Sequence, residues 1–274
     1  MIFNTVLLSG LALASGASAH ITKRSRFAPY NPLTSLAPKA DAVERVSVYF
    51  HVISADDSEE NGNIPDDQIS KQIDVLNEDY EDTGLSFVLA NTTRTVNEEW
   101  FKTVGPDTDV QTEMKNQLRQ GDEASLNVYT VGFESGSGAG LLGYSTFPSS
   151  FEDNSQDDGV VIMFSSLPGG SLNNFNLGKT LVHETGHWVG LFHTFQNGCS
   201  DPGDNVDDTP AEAQPNSGCP TTAPDTCPDS DGSDPINNYM DYSYDACLDS
   251  FSKGQISRLQ DQMATFRGVT FGSS

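Results

Sequence analysis

The stretch HETGHWVGLFH, residues 183–193, decides how the rest of the chain is interpreted. Residues four positions apart lie on one face of a helix, so His183 and His187 can both point at one metal ion. Gly190 suits the end of that helix, because glycine adopts the left-handed backbone conformation at little cost. The chain can turn there and bring His193 to the same ion as a third ligand. Three neutral imidazoles fit Zn²⁺ and leave its fourth position for water.

Glu184 follows the first of these histidines, so its carboxylate would lie beside the metal and its water. A carboxylate in that place is a candidate general base for attack by the water. Three of the five histidines of the chain lie in this one stretch. Two other interpretations are a helix whose histidines bind nothing and a site that holds zinc without catalysis. The presence of Glu184 and the third histidine together argues against both.

A second motif, NNYMDY at residues 237–242, lies downstream of the first. Together with HETGHWVGLFHTF, in which Trp188 follows the second histidine, this motif resembles the sequence motifs of the metzincin clan of zinc endopeptidases. Within that clan it is similar to the pappalysin family, in particular its small secreted fungal and bacterial members. The resemblance implies that Met240 forms the Met-turn, an apolar floor beneath the imidazoles. It also implies that Tyr242 lies near the zinc and helps to stabilise the oxyanion.

Apolar runs and helical periodicity predict the elements around the two motifs. Strands are predicted at residues 46–53, 85–89, 126–131 and 159–164, an edge strand at 141–148, and helices at 65–80, 110–120, 177–189 and 251–266. Because strands and helices alternate, we expect a mixed α/β (α+β) fold whose sheet is mostly parallel. His51 lies within the first strand and is expected to pack in the core.

The resemblance covers roughly residues 44–266 and implies one metzincin-like catalytic domain at 44–274, cut by a cleft. An N-terminal subdomain at 44–193 would hold the twisted sheet and its helices. A smaller, irregular C-terminal subdomain at 194–274 would form the other side of the cleft. Substrate would lie extended along an edge strand, for which residues 140–146 are the candidate.

The N-terminal residues have the composition of a leader and a linker. Residues 1–19 carry no charged side chain, contain a short apolar run and end in Ala17-Ser18-Ala19, which is typical of a signal peptide cleaved before His20. Residues 20–43 contain a dibasic pair and three prolines without helical or strand periodicity. They are predicted to be a pro-segment or a flexible tail. The product should be secreted and extracellular.

The net charge of −25 limits the classes of molecule that the chain can bind. Such a surface repels nucleic acid and anionic membranes, so neither is expected as a partner. It attracts cations, and a loop after the zinc motif contains Asp201, Asp204, Asp207 and Asp208. Carboxylate oxygens bind Ca²⁺, although the spacing is not that of an EF-hand. The loop is therefore a candidate calcium site, with a solvated acidic loop as the alternative.

The four cysteines, Cys199, Cys219, Cys227 and Cys247, all follow the zinc motif. An even number in an exported chain argues for two disulfides, and the spacing alone allows three pairings. A second, structural zinc is a weak rival, because no two cysteines are separated by two residues. The resemblance to small pappalysins favours Cys199–Cys227 and Cys219–Cys247. These bonds would order a loop too polar to order itself.

One N-glycosylation sequon, Asn91-Thr92-Thr93, follows the second predicted strand. It is predicted to lie in a loop that is either glycosylated or unmodified.

The function that these observations predict is a secreted, zinc-dependent endopeptidase. It would hydrolyse peptide bonds of extracellular proteins, with Glu184 as the general base, and would be a monomer. The alternatives are a non-catalytic zinc- or calcium-binding module and a zinc amidase or peptidase of narrow specificity. The natural substrate does not follow from the sequence.

Overall fold

A five-stranded sheet forms the centre of the computed structural model, which describes residues 44–272. The strands are β1 (Glu44–Ser54), β2 (Leu85–Val96), β3 (Leu126–Val131), β4 (Gly143–Ser145) and β5 (Val160–Met163). Their order in the sheet is β2-β1-β3-β5-β4, and every neighbouring pair is parallel except β4 with β5. The prediction of a mostly parallel sheet is confirmed. The predicted leader and tail, residues 1–43, lie outside the described residues.

Within residues 44–272, five α-helices surround the sheet. They are α1 (Asp66–Asp79), α2 (Glu98–Thr103), α3 (Asp109–Leu118), α4 (Lys179–Trp188) and α5 (Lys253–Arg267). Between residues 44 and 272, no helix is both long and apolar enough to cross a membrane.

The helices cover both faces of the sheet, which is why the strands read as nearly continuous apolar runs. Val128 and Ile162 point to one face, where they join a core with Leu76 of α1 and Leu181 of α4. Alternate residues of the same strands, such as Tyr129, point to the other face and pack with α2 and α3. His51, in β1, is fully buried, and its ring stacks on Tyr129 with 4.7 Å between the centroids. The sheet is thus the middle layer of three.

Two parts of the first half differ from the prediction. Strand β2 continues to Val96, so Asn91 lies in a strand and its assignment to a loop was wrong. The polar residues there look like a turn, but their backbone pairs with β1 as far as Ser54. Helix α2 was missed because six residues are too few to show a helical period. It is fixed by the cap of Asn97, whose side chain accepts a hydrogen bond from Trp100 N.

The region between α4 and α5 is irregular and is held by two disulfides. Cys199 bonds Cys227 and Cys219 bonds Cys247, with Cα–Cα distances of 5.5 and 5.7 Å. The predicted pairing is therefore the one present, and none of the four cysteines is free to hold a second zinc. Each bond closes a loop with a sequence separation of 28, which stabilises the fold by restricting the unfolded chain.

The last residue of helix α5 holds the end of α4 in place. Arg267, the last residue of α5, is fully buried, and its guanidinium forms hydrogen bonds to both carboxylate oxygens of Asp158, at 2.9 and 3.1 Å. It also donates to the carbonyl oxygen of Trp188 and lies 3.7 Å from the centre of the Trp188 ring. Since Trp188 directly follows His187, this contact helps to position the helix of the zinc motif.

Candidate active site

Helix α4 carries the first half of the site and is anchored at both ends. At its start, a carboxylate oxygen of Asp245 accepts a hydrogen bond from Leu177 N at 2.8 Å, in place of the side-chain cap that Gly178 cannot provide. At its end, Gly190 has a φ of 103°, and Leu191 N donates to Gly186 O at 2.8 Å. Gly190 therefore makes the predicted turn in the left-handed conformation.

The three predicted ligands are brought together by this turn. The Nε2 atom of His193 lies 3.0 Å from that of His187 and 3.2 Å from that of His183. Among residues 44–272, this is the only group of three metal-binding side chains whose ligand atoms lie within 4.8 Å of one another.

Hydrogen bonds on the opposite ring nitrogens set the tautomer of two of these histidines. The Nδ1 atom of His183 lies 2.7 Å from Tyr239 O, and that of His187 lies 2.8 Å from Leu191 O. Each Nδ1–H donates to its carbonyl, so the lone pair of each Nε2 points at the common centre. Burial lowers the pKa of His183 to about 3 and that of His187 to about 4, so both rings are neutral. Lone pairs that converge on one point fit a cation such as Zn²⁺.

The side chain of Glu184, a residue of α4, lies against the edge strand β4. Its side chain is buried, and its Oε2 atom has no hydrogen-bond partner in the part of the chain that the structure describes. Burial raises the pKa of Glu184 to about 8. A divalent cation on the three imidazoles would oppose this shift, because a nearby positive charge favours the carboxylate.

Gly143, in β4, makes room for this carboxylate. A Cβ atom at Gly143 would lie 2.7 Å from Cγ of Glu184 and 2.9 Å from its Oε1. This contact could not be predicted from the sequence, since it depends on how β4 crosses the face of α4.

Met240 and Tyr242 lie where the resemblance places them. Met240 is fully buried, and its sulfur would be only 2.3 Å from a Cβ atom at Gly186, so it packs directly against the helix between the two histidines. The hydroxyl of Tyr242 lies 3.1 Å from Nε2 of His193. The tyrosine hydroxyl is therefore next to the common centre of the three imidazoles.

A pair of buried carboxyl groups behind the site was not predicted. Glu212 and Asp241 are both buried, and Glu212 accepts a hydrogen bond at 2.6 Å from the hydroxyl of Thr194, which follows His193. The backbone N–H of Asn216 donates to Asp241 at 3.0 Å, and its side-chain amide donates to Glu212. Burial, and then the neighbouring Asp241, raise the pKa of Glu212 to about 8. The pair joins the disulfide-bonded loop to the segments that carry His193 and Tyr242.

The acidic loop makes other contacts than those predicted for a calcium site. Asp208 accepts hydrogen bonds from Ser252 Oγ and Gly254 N, at 2.6 and 2.9 Å, and so supports the start of α5. Asp204 is buried and accepts from Val206 N, while Asp201 and Asp207 are exposed. Calcium binding stays a prediction.

A cleft opens beside Glu184 between β4 and the segment after Met240. Its lining includes Leu142 and Gly143 on one side, Tyr242 and Asp245 on the other, and Phe175 and Leu248. Strand β4 is the last strand of the sheet, so its outer edge is not paired within residues 44–272. It lies inside the predicted edge segment, residues 140–146.

Comparison with known proteins identifies the family. A peptidase family model described as pregnancy-associated plasma protein-A matches residues 110–264, which include α4, both motifs and most of α5. The chain belongs to this family. The predicted resemblance to pappalysins is thereby confirmed.

Two curated relatives resemble the peptidase over most of its length. An extracellular metalloprotease of Pyricularia oryzae is 46% identical over 234 residues, which cover 85% of this chain and 79% of the relative. Extracellular metalloprotease 1 of Coccidioides posadasii is 47% identical over 225 residues, which cover 81% and 78%. The chain is accordingly a metalloendopeptidase, which argues against the non-catalytic alternative.

Solved structures agree with this family. Mirolysin in complex with compound 9 matches with a TM-score of 0.69 and 30% identity, covering 82% of this chain and 92% of the other. Mature mirolysin of Tannerella forsythia in complex with a cleaved peptide matches with a TM-score of 0.63 and 30% identity, covering 79% and 90%. The predicted metzincin-like fold is confirmed.

Proposed function

We propose that the peptidase is a secreted, zinc-dependent endopeptidase in which His183, His187 and His193 hold the metal and Glu184 is the general base. The observation that carries this proposal is the convergence of three imidazole Nε2 atoms beside a buried carboxylate whose Oε2 atom has no hydrogen-bond partner in the described chain. When bound there, zinc supplies a Lewis acid that polarises a carbonyl oxygen and lowers the pKa of water. Side chains of the peptidase carry out all other steps.

Glu184 handles the proton in this proposal. It accepts the proton of the attacking water as the carbon–oxygen bond forms and passes it to the amine that leaves. Because the carboxylate is buried between α4 and Gly143, it is held in one position and shielded from bulk water.

Tyr242 would stabilise the oxyanion. Its hydroxyl, 3.1 Å from Nε2 of His193, lies beside the metal centre and can donate a hydrogen bond to negative charge that develops on the carbonyl oxygen. Burial raises the pKa of this phenol, so it stays protonated and able to donate.

An extended substrate would bind along the outer edge of β4. That edge borders the cleft and lies against Glu184, so a peptide paired with it would pass the reacting centre. The mirolysin structure with a cleaved peptide supports a peptide-binding cleft in a similar fold.

Export is part of the same proposal. It rests on residues 1–19 as a cleaved leader and on relatives that are named extracellular metalloproteases. Residues 20–43 would be a tail or a pro-segment. Residues 44–274 would be the catalytic domain, with its subdomain boundary at residue 193.

The experiment that tests the proposal is Glu184→Gln, with Glu99→Gln as the control. Glutamine has nearly the same shape but cannot accept the proton, so kcat on a protein substrate should fall by about 10²–10⁴-fold. Zinc content and thermal stability should not change, since Glu184 is not a ligand. Glu99 is exposed on α2, and its variant should behave as wild type. If Glu184→Gln digests casein as fast as wild type, Glu184 is not the base.

A further inference from the structure

Strand β2 forms one free edge of the sheet. It pairs only with β1 among the described strands and is 12 residues long, the longest of the five. At Phe87 the outer edge is closed, because the Asn77 side chain accepts from Phe87 N and donates to Phe87 O, both at 2.8 Å. From Val88 onward, no strand of residues 44–272 lies against it. A long free edge is a template for pairing with another chain.

The two ends of this unpaired stretch also expose apolar side chains. Three of the five exposed large hydrophobic residues of the described chain lie on β2: Val88, Leu89 and Val96, with 49%, 38% and 59% of their surface exposed. The strand contains no proline, and its single charged residue is Arg94. The Arg94 guanidinium is turned onto the start of α1, where it binds Asp66 and Ile64 O. The strand therefore lacks the lysine, proline or free charge that usually prevents edge-to-edge association.

The sequon lies in the middle of this unprotected edge. Asn91 is exposed, and its amide reaches only the side chain of Gln120, at 3.1 Å. The register of β1 with β2 shifts there, since Val48 and Tyr49 pair with Leu89 and Asn91 and leave Ala90 as an extra residue. At about 3.3 Å per residue, Asn91 is within about 10 Å of Val88 along the strand.

We propose that Asn91 carries an N-linked glycan, which covers the free edge of β2 and keeps two copies of the chain from pairing there. The proposal rests on the export that is part of the proposed function. In the transfer, Nδ2 of Asn91 attacks the anomeric carbon of a lipid-linked oligosaccharyl diphosphate. The N–C bond forms, the C–O bond to the diphosphate breaks, the lipid diphosphate leaves with the electron pair, and one amide proton is lost.

The transfer precedes the pairing of β2 with β1. The sequon hydroxyl, Thr93 Oγ1, is hydrogen-bonded at 2.8 Å to Nδ1 of His51, whose Nε2 lies 3.0 Å from Asn127 Oδ1. In the folded chain this hydroxyl is therefore engaged with the core. The glycan is added to the unfolded chain and then projects from the completed edge.

The first test is the modification itself. The full chain is expressed with its own leader, and in parallel with the leader of the host, in a eukaryotic secretory host. The mass of the peptide that contains Asn91 is measured by mass spectrometry before and after treatment with peptide N-glycosidase. A glycan mass that the enzyme removes supports the proposal. Exported protein whose Asn91 is unmodified overturns it and leaves the export intact, whereas retention with the native leader alone contradicts the export.

The second test is association in solution. Wild type, wild type deglycosylated by an endoglycosidase that leaves one sugar on an uncharged Asn91, Asn91→Gln and Asn91→Gln/Val88→Lys are compared by size-exclusion chromatography with light scattering over a range of concentrations. Asn116→Gln, at an exposed asparagine of α3 outside any sequon, is the control. Glycosylated wild type and the control should be monomers, deglycosylated protein and Asn91→Gln should form dimers or larger species, and the added lysine should restore the monomer.

Monomeric Asn91→Gln at all concentrations, or association that Val88→Lys does not reduce, would overturn the role of the glycan. Peptidase activity per folded chain should be equal in all five proteins, because β2 and the cleft lie at opposite edges of the sheet. Loss of activity in every one of them, wild type included, would instead count against the proposed function.

Discussion

Replacing Arg267 by Met should destabilise the peptidase more than the removal of any exposed ion pair. The Arg267 and Asp158 side chains are 0% and 1% exposed and form a bidentate pair. Without the guanidinium, Asp158 keeps the indole N–H of Trp188 and the hydroxyl of Thr146, but its charge loses its closest cation. Breaking a buried pair by removing one partner costs about 3–5 kcal/mol. The carbonyl oxygens of Trp188 and Glu123 lose their donors as well.

This cost translates into a large change of melting temperature. For a domain of this size, each kcal/mol shifts Tm by about 2–4 °C, so Arg267→Met should lower Tm by about 6–20 °C. Among the described residues, Asp158 then has only Arg119, 3.9 Å away, as a cationic neighbour within ion-pair distance. The double variant Arg267→Met/Asp158→Asn removes the carboxylate charge and should recover part of the loss. Lys71→Met, which breaks an exposed pair with Asp67, should lower Tm far less, because exposed ion pairs contribute little to stability.

Thermal unfolding followed by near-ultraviolet circular dichroism measures all four proteins under one condition. A Tm for Arg267→Met within about 2 °C of wild type would refute the reasoning, since the shift would then be no larger than that of a surface pair. A double variant less stable than Arg267→Met would also refute it, because the buried charge would not be the source of the loss.

Two further predictions concern the site. Gly143→Ala should displace the Glu184 carboxylate and lower kcat by roughly 10–100-fold with zinc content unchanged. Ser145→Ala, in the same strand, should leave kcat unchanged. Equal kinetics of the two variants would exclude a positioning role for Gly143. Glu212 should make stability depend on pH. Its pKa of about 8 in the folded chain lies above the ordinary pKa of a glutamate. Its contribution to stability is therefore complete at pH values below the ordinary pKa and is lost as the pH rises through the pKa of the folded state. With Asp241 and Asp234 as its charged neighbours, wild type should lose Tm between about pH 5 and about pH 8, and Glu212→Gln should lose less; identical profiles would contradict the buried acid.

The sequence predicted the elements whose pattern is local. Strand β3 begins and ends at the predicted residues, because an apolar run there is bounded by polar and glycine residues. The turn at Gly190 was also predictable from the local sequence, since three histidines can converge only if the helix ends between His187 and His193.

The features that were missed depend on contacts between distant segments. The second half of β2 is polar, and only its pairing with β1 makes it a strand. Glu212 lies in a loop whose path is set by the disulfides, so nothing near it in the sequence indicates that it meets Thr194 and Asn216. Gly143 is likewise defined by a neighbour 41 positions away, Glu184.

The metal content of the purified peptidase tests the central claim most directly. Elemental analysis should find about one zinc per chain in wild type and in Glu184→Gln, and much less in His193→Ala, because only His193 of these two residues is a ligand in the proposed site. Phenanthroline should abolish cleavage of casein by wild type, and added zinc should restore it. Wild type that contains no zinc and keeps its activity in the chelator would contradict the account.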